Sequence, residues 1–161
     1  MPSVLIVCTA NICRSPMAEA LARRLLCQQP EPAEWQVSSA GTWASDGRGA
    51  SVNAVKTMSD RGLDINRHRS RQVNADLLAS SDLILTMTAG HAEALRAEFP
   101  EHASRVHRLA EMAGLPYDVA DPYGGSPEEY RQTADELERL LARGLPAIVR
   151  EAHRARAGRD R

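Results

Sequence analysis

A cysteine, five intervening residues and an arginine stand near the start of the chain, in the segment 8–15. A cysteine thiolate is a strong nucleophile, and the planar guanidinium of Arg14 matches two oxygens of a phosphate. Backbone N–H groups of a tight loop and of a helix start converge on an anion and also favour the thiolate. Beneath a bound phosphate, Cys8 can attack phosphorus in line, so the segment predicts covalent phosphate-ester chemistry.

The remaining loop residues fit the same chemistry. Ser15 can donate a hydrogen bond to the sulfur and stabilise it as a leaving group, and Asn11 can hold the loop open by bonding its backbone. A bare cysteine–arginine spacing more often marks a structural cysteine, but its position between a buried strand and a helix favours a functional site. The residues expected to bind or line the phosphate are Thr9, Ala10, Asn11, Ile12, Cys13 and Ser15.

Cleavage of a phosphate ester also needs an acid that gives a proton to the leaving oxygen. Asp121 is the best candidate, because the following Pro122 restricts its backbone to an extended conformation and fixes its direction. The same carboxylate can then activate the water that hydrolyses the cysteinyl phosphate. Taken alone, the segment 121–125 is typical of a surface turn. The spacing from Cys8 to Cys13 is not that of a zinc site, so neither a metal nor a cofactor is expected.

Several elements must position these residues. Apolar patterning predicts strands over 4–7, 36–39, 83–85 and 106–109, and helices over 15–27, 50–60, 74–79 and 90–98. A last helix opens with the capping box at 126–129 and is expected to break near 144–146. Ser15 is the expected N-cap of the first helix, where Cys27 is expected to pack, and Val52, Val55 and Met58 are expected to face inward.

Strands that alternate with helices predict an α/β fold of three layers, α/β/α, around a parallel sheet. Right-handed crossovers place the loops after the strands at one edge, where ligands bind. The length predicts one domain over 1–152, with a basic, frayed tail over 153–161.

Composition excludes several classes of protein. The 20 basic and 21 acidic side chains leave a net charge of -1, which argues against nucleic acid as a partner. Three cysteines do not describe a secreted disulfide scaffold. The first residues resemble neither a signal peptide nor a membrane span, so we expect a cytoplasmic protein without membrane insertion.

The segment 8–19 together with Asp121-Pro122 resembles the low-molecular-weight protein tyrosine phosphatases. Segments 39–42, 68–72 and 82–87 extend the resemblance over nearly the whole chain, in the family's order. It implies a four-stranded parallel sheet of order 2-1-3-4 with the phosphate loop after the first strand. It also implies a metal-free, two-step mechanism in which Cys8 is the nucleophile, Arg14 binds phosphate and Asp121 is the acid. The implied partners are a phosphorylated protein substrate and inorganic phosphate as product.

The resemblance assigns further roles. Asn11, Ser15, Ser39 and His68 match a hydrogen-bond network that supports the phosphate loop. Cys13 matches a second loop cysteine that can form a disulfide with the nucleophile under oxidation, although a small buried hydrophobe is an equal alternative. Two aromatic residues, Tyr123 and Trp43, are expected to form walls of the pocket. Alternatively, Trp43 is a loop anchor that packs on the core.

The chain departs from the family at several positions. Thr9 and Ala10 stand where members usually have Leu and Gly, and a positive φ at Ala10 would cost about 1 kcal/mol. Thr9, Met87-Thr88 and the segment 121–140 look more like a sister group, the protein arginine phosphatases, which carry a Thr where this chain has Ile12. A branched apolar side chain suits an aryl ring and offers a guanidinium no partner, so phosphotyrosine is favoured and phosphoarginine is the alternative.

Three other functions are less favoured. Arsenate reductases of this fold use further cysteines later in the chain, and none follows Cys27. An inert phosphoprotein-binding domain would lack the acid or the nucleophile. A cysteine phosphocarrier would have no use for a hydrolytic acid such as Asp121.

Overall fold

Four parallel strands form the centre of the molecule. The computed structural model describes residues 1–30 and 34–161. The strands are β1 (Ser3–Cys8), β2 (Gln36–Gly41), β3 (Leu83–Thr86) and β4 (Val106–Arg108). They pair in parallel in the order β2-β1-β3-β4, which confirms the predicted sheet and its order.

Helices cover both faces of this sheet. They are α1 (Arg14–Leu26), α2 (Val52–Ser59), α3 (Ala75–Ser80), α4 (Ala89–Glu98), α5 (Leu109–Met112) and α6 (Pro127–Arg159). Successive strand residues face opposite sides. Val4 and Ile6 of β1 therefore join a core with α1, α2, α5 and α6, whereas Leu5 and Val7 join a second core with α3 and α4. The predicted three-layer α/β/α architecture is confirmed.

Local expectations fail at three positions. α1 begins at Arg14 with Cys13 as its N-cap, two residues before the expected N-cap Ser15, which frees the Ser15 side chain for the site. Cys27 follows the last residue of α1 and is exposed. Val52 is 84% exposed, because it lies two residues before Ala54 and hence on another side of α2. Helix α5 and a 3-10 turn at Pro100–Arg105 were not expected.

Helix α6 is longer than the sequence pattern indicates. It runs unbroken through Pro146, so the predicted break near 144–146 is wrong, and the helix continues from residue 153 as far as Arg159. Pro146 and Ala142 are both exposed, and the carbonyl group that the proline cannot bond faces water. The last turn is anchored, because Arg159 Nη1 donates to Oδ1 of the fully buried Asp82 at 2.6 Å.

Among residues 1–30 and 34–161, no helix combines the length and the apolar character that crossing a membrane requires.

Candidate active site

The loop between β1 and α1 forms the floor of a cavity of about 280 Å³ at the carboxyl edge of the sheet. The structure brings together most of the residues that the sequence singled out. Trp43 does not line the cavity and is 85% exposed. Arg48 lines the cavity, although no pattern in the sequence indicates this. The lining residues are Cys8, Thr9, Ala10, Ile12, Cys13, Arg14, Arg48, Asp121 and Tyr123.

Asn11 carries the unusual backbone of the loop. Its φ is 58°, and no other non-glycine residue in the described part of the chain has a positive φ. Asparagine tolerates this left-handed conformation better than most residues. Ala10 has no such φ, so the strain that we considered there is absent. Close packing from behind also shapes the loop, since a Cβ on Gly41 would lie 2.3 Å from the Thr9 carbonyl oxygen.

A hydrogen-bond network holds Asn11 in place. Its Oδ1 accepts from the Arg71 backbone N–H at 3.0 Å, and its Nδ2 donates to the hydroxyls of Ser15 at 2.8 Å and Ser39 at 3.0 Å. The His68 Nε2 donates to the Asn11 carbonyl oxygen at 2.6 Å. The Ser39 side chain of β2 and two residues of the segment before α3 thus satisfy the buried polar groups of Asn11, which would otherwise be costly to bury.

Ser15 connects this network to Cys8, the predicted nucleophile. Its Oγ accepts from Asn11, so its proton is free to point to the Cys8 Sγ, 2.9 Å away. This hydrogen bond stabilises the sulfur both as thiolate and as leaving group. Ser39 in turn donates to Glu19 Oε2 at 2.6 Å. Glu19 has no predicted role of its own, although it ends the segment 8–19 that resembles the family and lies four residues after Ser15, on the same face of α1.

Arg14 is buried, with 4% of its surface exposed, and its guanidinium is oriented by main chain and side chains. Its Nη1 donates to the Val119 carbonyl at 2.9 Å, while its Nη2 lies 3.4 Å from Thr9 Oγ1 and 3.5 Å from Asp121 Oδ2. Its Nε is buried and has no hydrogen-bond partner among the described residues. An oxyanion that accepts from the Nε–Nη2 edge satisfies this donor.

Asp121 lies at the rim of the cavity with its side chain 49% exposed. Its Oδ1 accepts from the Tyr123 backbone N–H at 3.0 Å, which fixes the carboxylate within its own turn. The other oxygen faces Arg14. The carboxylate is therefore placed above the floor of the cavity, where a leaving group or an attacking water would lie.

Cys13 differs chemically from Cys8. Its Sγ lies 3.2 Å from the Tyr130 hydroxyl and 3.3 Å from the Ser51 hydroxyl. Burial raises the pKa of the Cys13 thiol above its ordinary value and raises the pKa of Tyr130 to about 12. Both Cys8 and Cys13 are free thiols here, and their pairing under oxidation stays a prediction. Within the described residues, no group of His, Cys, Asp and Glu side chains is arranged to hold a metal ion.

His91 makes stability depend on pH. Burial, and then the charge of Arg14, lower its pKa from 6.5 to about 4, against the weaker opposite effects of Asp118 and Asp121. Between these pH values the unfolded chain binds more protons at His91 than the folded protein does. The free energy of unfolding therefore decreases as pH falls from about 6.5 to about 4. We expect His91→Gln to lose less stability than the unmodified protein over this range, measured by urea unfolding. An equal loss in both proteins would contradict this assignment.

Comparisons with known proteins show which family the chain belongs to. The model of the family described as "Low molecular weight phosphotyrosine protein phosphatase" matches residues 3–154. A protein-arginine-phosphatase of Bacillus subtilis is 40% identical over 139 residues, which cover 86% of this chain and 91% of that protein. A probable low molecular weight protein-tyrosine-phosphatase of Ralstonia nicotianae, EpsP, is 36% identical over 146 residues, covering 91% of this chain and 95% of that protein.

A solved structure shows the same fold. The crystal structure of a YwlE mutant from Bacillus subtilis superposes with a TM-score of 0.85 at 37% identity, covering 93% of this chain and 99% of that one. The residues matched by the family model include the loop 8–15, its supporting network and the Asp121 segment. The chain therefore belongs to the low molecular weight phosphotyrosine protein phosphatase family.

Proposed function

We propose that the protein hydrolyses phosphotyrosine in proteins by two phosphoryl transfers through Cys8. The phosphate accepts hydrogen bonds from the loop N–H groups and from Arg14 while the Cys8 thiolate attacks phosphorus. As the S–P bond forms, the P–O bond to the phenol breaks, and Asp121 gives its proton to the departing oxygen. Asp121 then takes a proton from water, whose oxygen attacks phosphorus. The S–P bond breaks, inorganic phosphate leaves, and Ser15 stabilises the regenerated thiolate.

The observation that carries the choice of tyrosine is Ile12. This residue of the loop 8–15 is 4% exposed and lines the cavity. This apolar wall fits an aryl ring and has no acceptor for guanidinium N–H groups. Tyr123, which is 64% exposed at the rim, supplies an aromatic surface. Arg48 adds a second arginine to a cavity with one lining carboxylate, Asp121, which disfavours a guanidinium substrate.

Phosphoarginine is the second candidate, and overall similarity favours it. The relative with 40% identity is a protein-arginine-phosphatase, and a second such enzyme, from Geobacillus stearothermophilus, shows 38% identity. Identity over the whole chain reflects the shared fold and loop, whereas the substrate side chain meets only a few cavity residues. Ile12 is therefore the position at which the two substrates are separated most directly.

A paired substrate assay decides between them. Peptides of identical sequence carrying phosphotyrosine or phosphoarginine are compared by kcat/KM, with Cys8→Ser as the blank. We expect faster release of phosphate from phosphotyrosine, and we expect Ile12→Thr to shift the ratio toward phosphoarginine by about tenfold or more. Ile12→Val, which keeps the apolar surface, is the matched control. Faster turnover of phosphoarginine by the unmodified protein would overturn the tyrosine assignment.

A further inference from the structure

The side chains of Arg14 and His91 both contact the hydroxyl of Thr9, a residue of the phosphate loop. His91 Nε2 lies 2.8 Å from Thr9 Oγ1, and Arg14 Nη2 lies 3.4 Å from the same oxygen. Arg14 and His91 are 4% and 9% exposed, so this junction is largely shielded from water. The His91 backbone is fixed at the start of α4, where its N–H donates to the capping Thr88 Oγ1 at 3.1 Å.

The surroundings of His91 decide which ring nitrogen carries the proton. Its Nδ1 is buried and has no hydrogen-bond partner in the described part of the chain. A buried N–H without an acceptor is rarer in proteins than an unused acceptor, so the neutral ring is best satisfied with its proton on Nε2. In this tautomer His91 donates to Thr9.

The direction of the Thr9 proton follows from this. A hydroxyl group has two acceptor sites and one proton. Arg14 and His91 donate to the two acceptor sites, so the proton points away from both of them. Thr9 lines the same cavity as Cys8 and Asp121, and an oxyanion held by Arg14 lies within this cavity.

We propose that the Thr9 hydroxyl donates a hydrogen bond to the bound phosphoryl group and that His91 is the positioning residue that aims it. Thr9 thereby adds a side-chain donor to the backbone donors of the loop, and His91 acts only through Thr9. This inference deepens the proposed function and rests on it, but it concerns phosphate alone and holds for either phosphoamino acid.

Binding of orthovanadate and of inorganic phosphate, measured by titration calorimetry at neutral pH, tests this without turnover. A failure of the proposed phosphotyrosine hydrolysis can therefore be distinguished from a failure of the Thr9 hydroxyl to bind phosphate. We expect Thr9→Val, which keeps the shape and loses the hydroxyl, to weaken binding about tenfold relative to Thr9→Ser, which keeps it. Equal affinity of these two variants would overturn the proposal.

His91 is tested by a double-mutant cycle. We expect His91→Leu to weaken phosphate binding several-fold when Thr9 is present and to have no further effect in Thr9→Val. We expect His91→Gln, whose amide N–H can still donate, to recover part of the loss. A loss of the same size in both backgrounds, or no loss with Thr9 present, would overturn the role of His91. Should His91→Leu fail to fold, His91→Ala takes its place in the cycle, and the Thr9→Val and Thr9→Ser pair still decides whether the hydroxyl binds phosphate.

Discussion

Replacing Cys8 by serine is expected to lower kcat by roughly 10⁴-fold or more, because a serine hydroxyl is not ionised at neutral pH and is a poorer nucleophile and leaving group. The fold should survive, since the two side chains differ by one atom. The Ser15 hydroxyl, 2.9 Å from Sγ, can still bond an oxygen at this position. The measurement is release of phosphate from a phosphotyrosine peptide.

The chain offers a matched control for this substitution. Cys27 is exposed at the end of α1 and does not line the cavity, so Cys27→Ser should turn over at the rate of the unmodified protein. Comparable activity of Cys8→Ser and Cys27→Ser would exclude Cys8 as the nucleophile. Phosphate binding by an inactive Cys8→Ser variant would show that the loop itself remains intact.

Replacing Asp121 by asparagine is expected to lower kcat about 10²- to 10³-fold on phenyl phosphate, whose leaving group needs a proton. The loss should be smaller on p-nitrophenyl phosphate, because nitrophenolate departs without one. The asparagine side chain can still accept from the Tyr123 N–H, which preserves the turn.

Asp118 serves as the control for Asp121. It lies three residues earlier, is 49% exposed, and pairs with Arg108 at 3.0 Å instead of lining the cavity. Asp118→Asn should therefore leave the dependence on the leaving group unchanged. An equal loss for Asp121→Asn on both esters would contradict its assignment as the acid.

Local sequence was sufficient to predict the loop that joins Cys8 to Arg14, the four strands and five of the six α-helices. Cys8 and Arg14 lie in one short segment between a buried strand and a helix, so their meeting needs no distant contact. Helix α6 shows the limit of local rules, because the break expected from Pro146 is overridden by its exposed position and by packing on either side. The left-handed residue was considered at Ala10 and lies at Asn11 instead.

The missed site residues come from distant segments. Arg71 donates its backbone N–H to Asn11 across 60 positions, and His91 contacts Thr9 across 82. No local pattern marks such residues, because only tertiary packing brings them to the loop. Arg48 reaches the cavity from an exposed loop after β2, where a lone arginine resembles any solvated side chain. Ser39 and His68 were predicted only through the family resemblance.

The covalent intermediate on Cys8 is tested most directly by trapping the phosphoryl group on the protein. The protein is mixed with a phosphotyrosine peptide or with p-nitrophenyl phosphate, quenched within milliseconds, and digested for mass spectrometry. We expect one phosphoryl group on the peptide that contains Cys8, formed at the rate of the first product burst and absent in Cys8→Ser. Turnover with no phosphoryl group on Cys8, or with the group on another residue, would contradict this expectation.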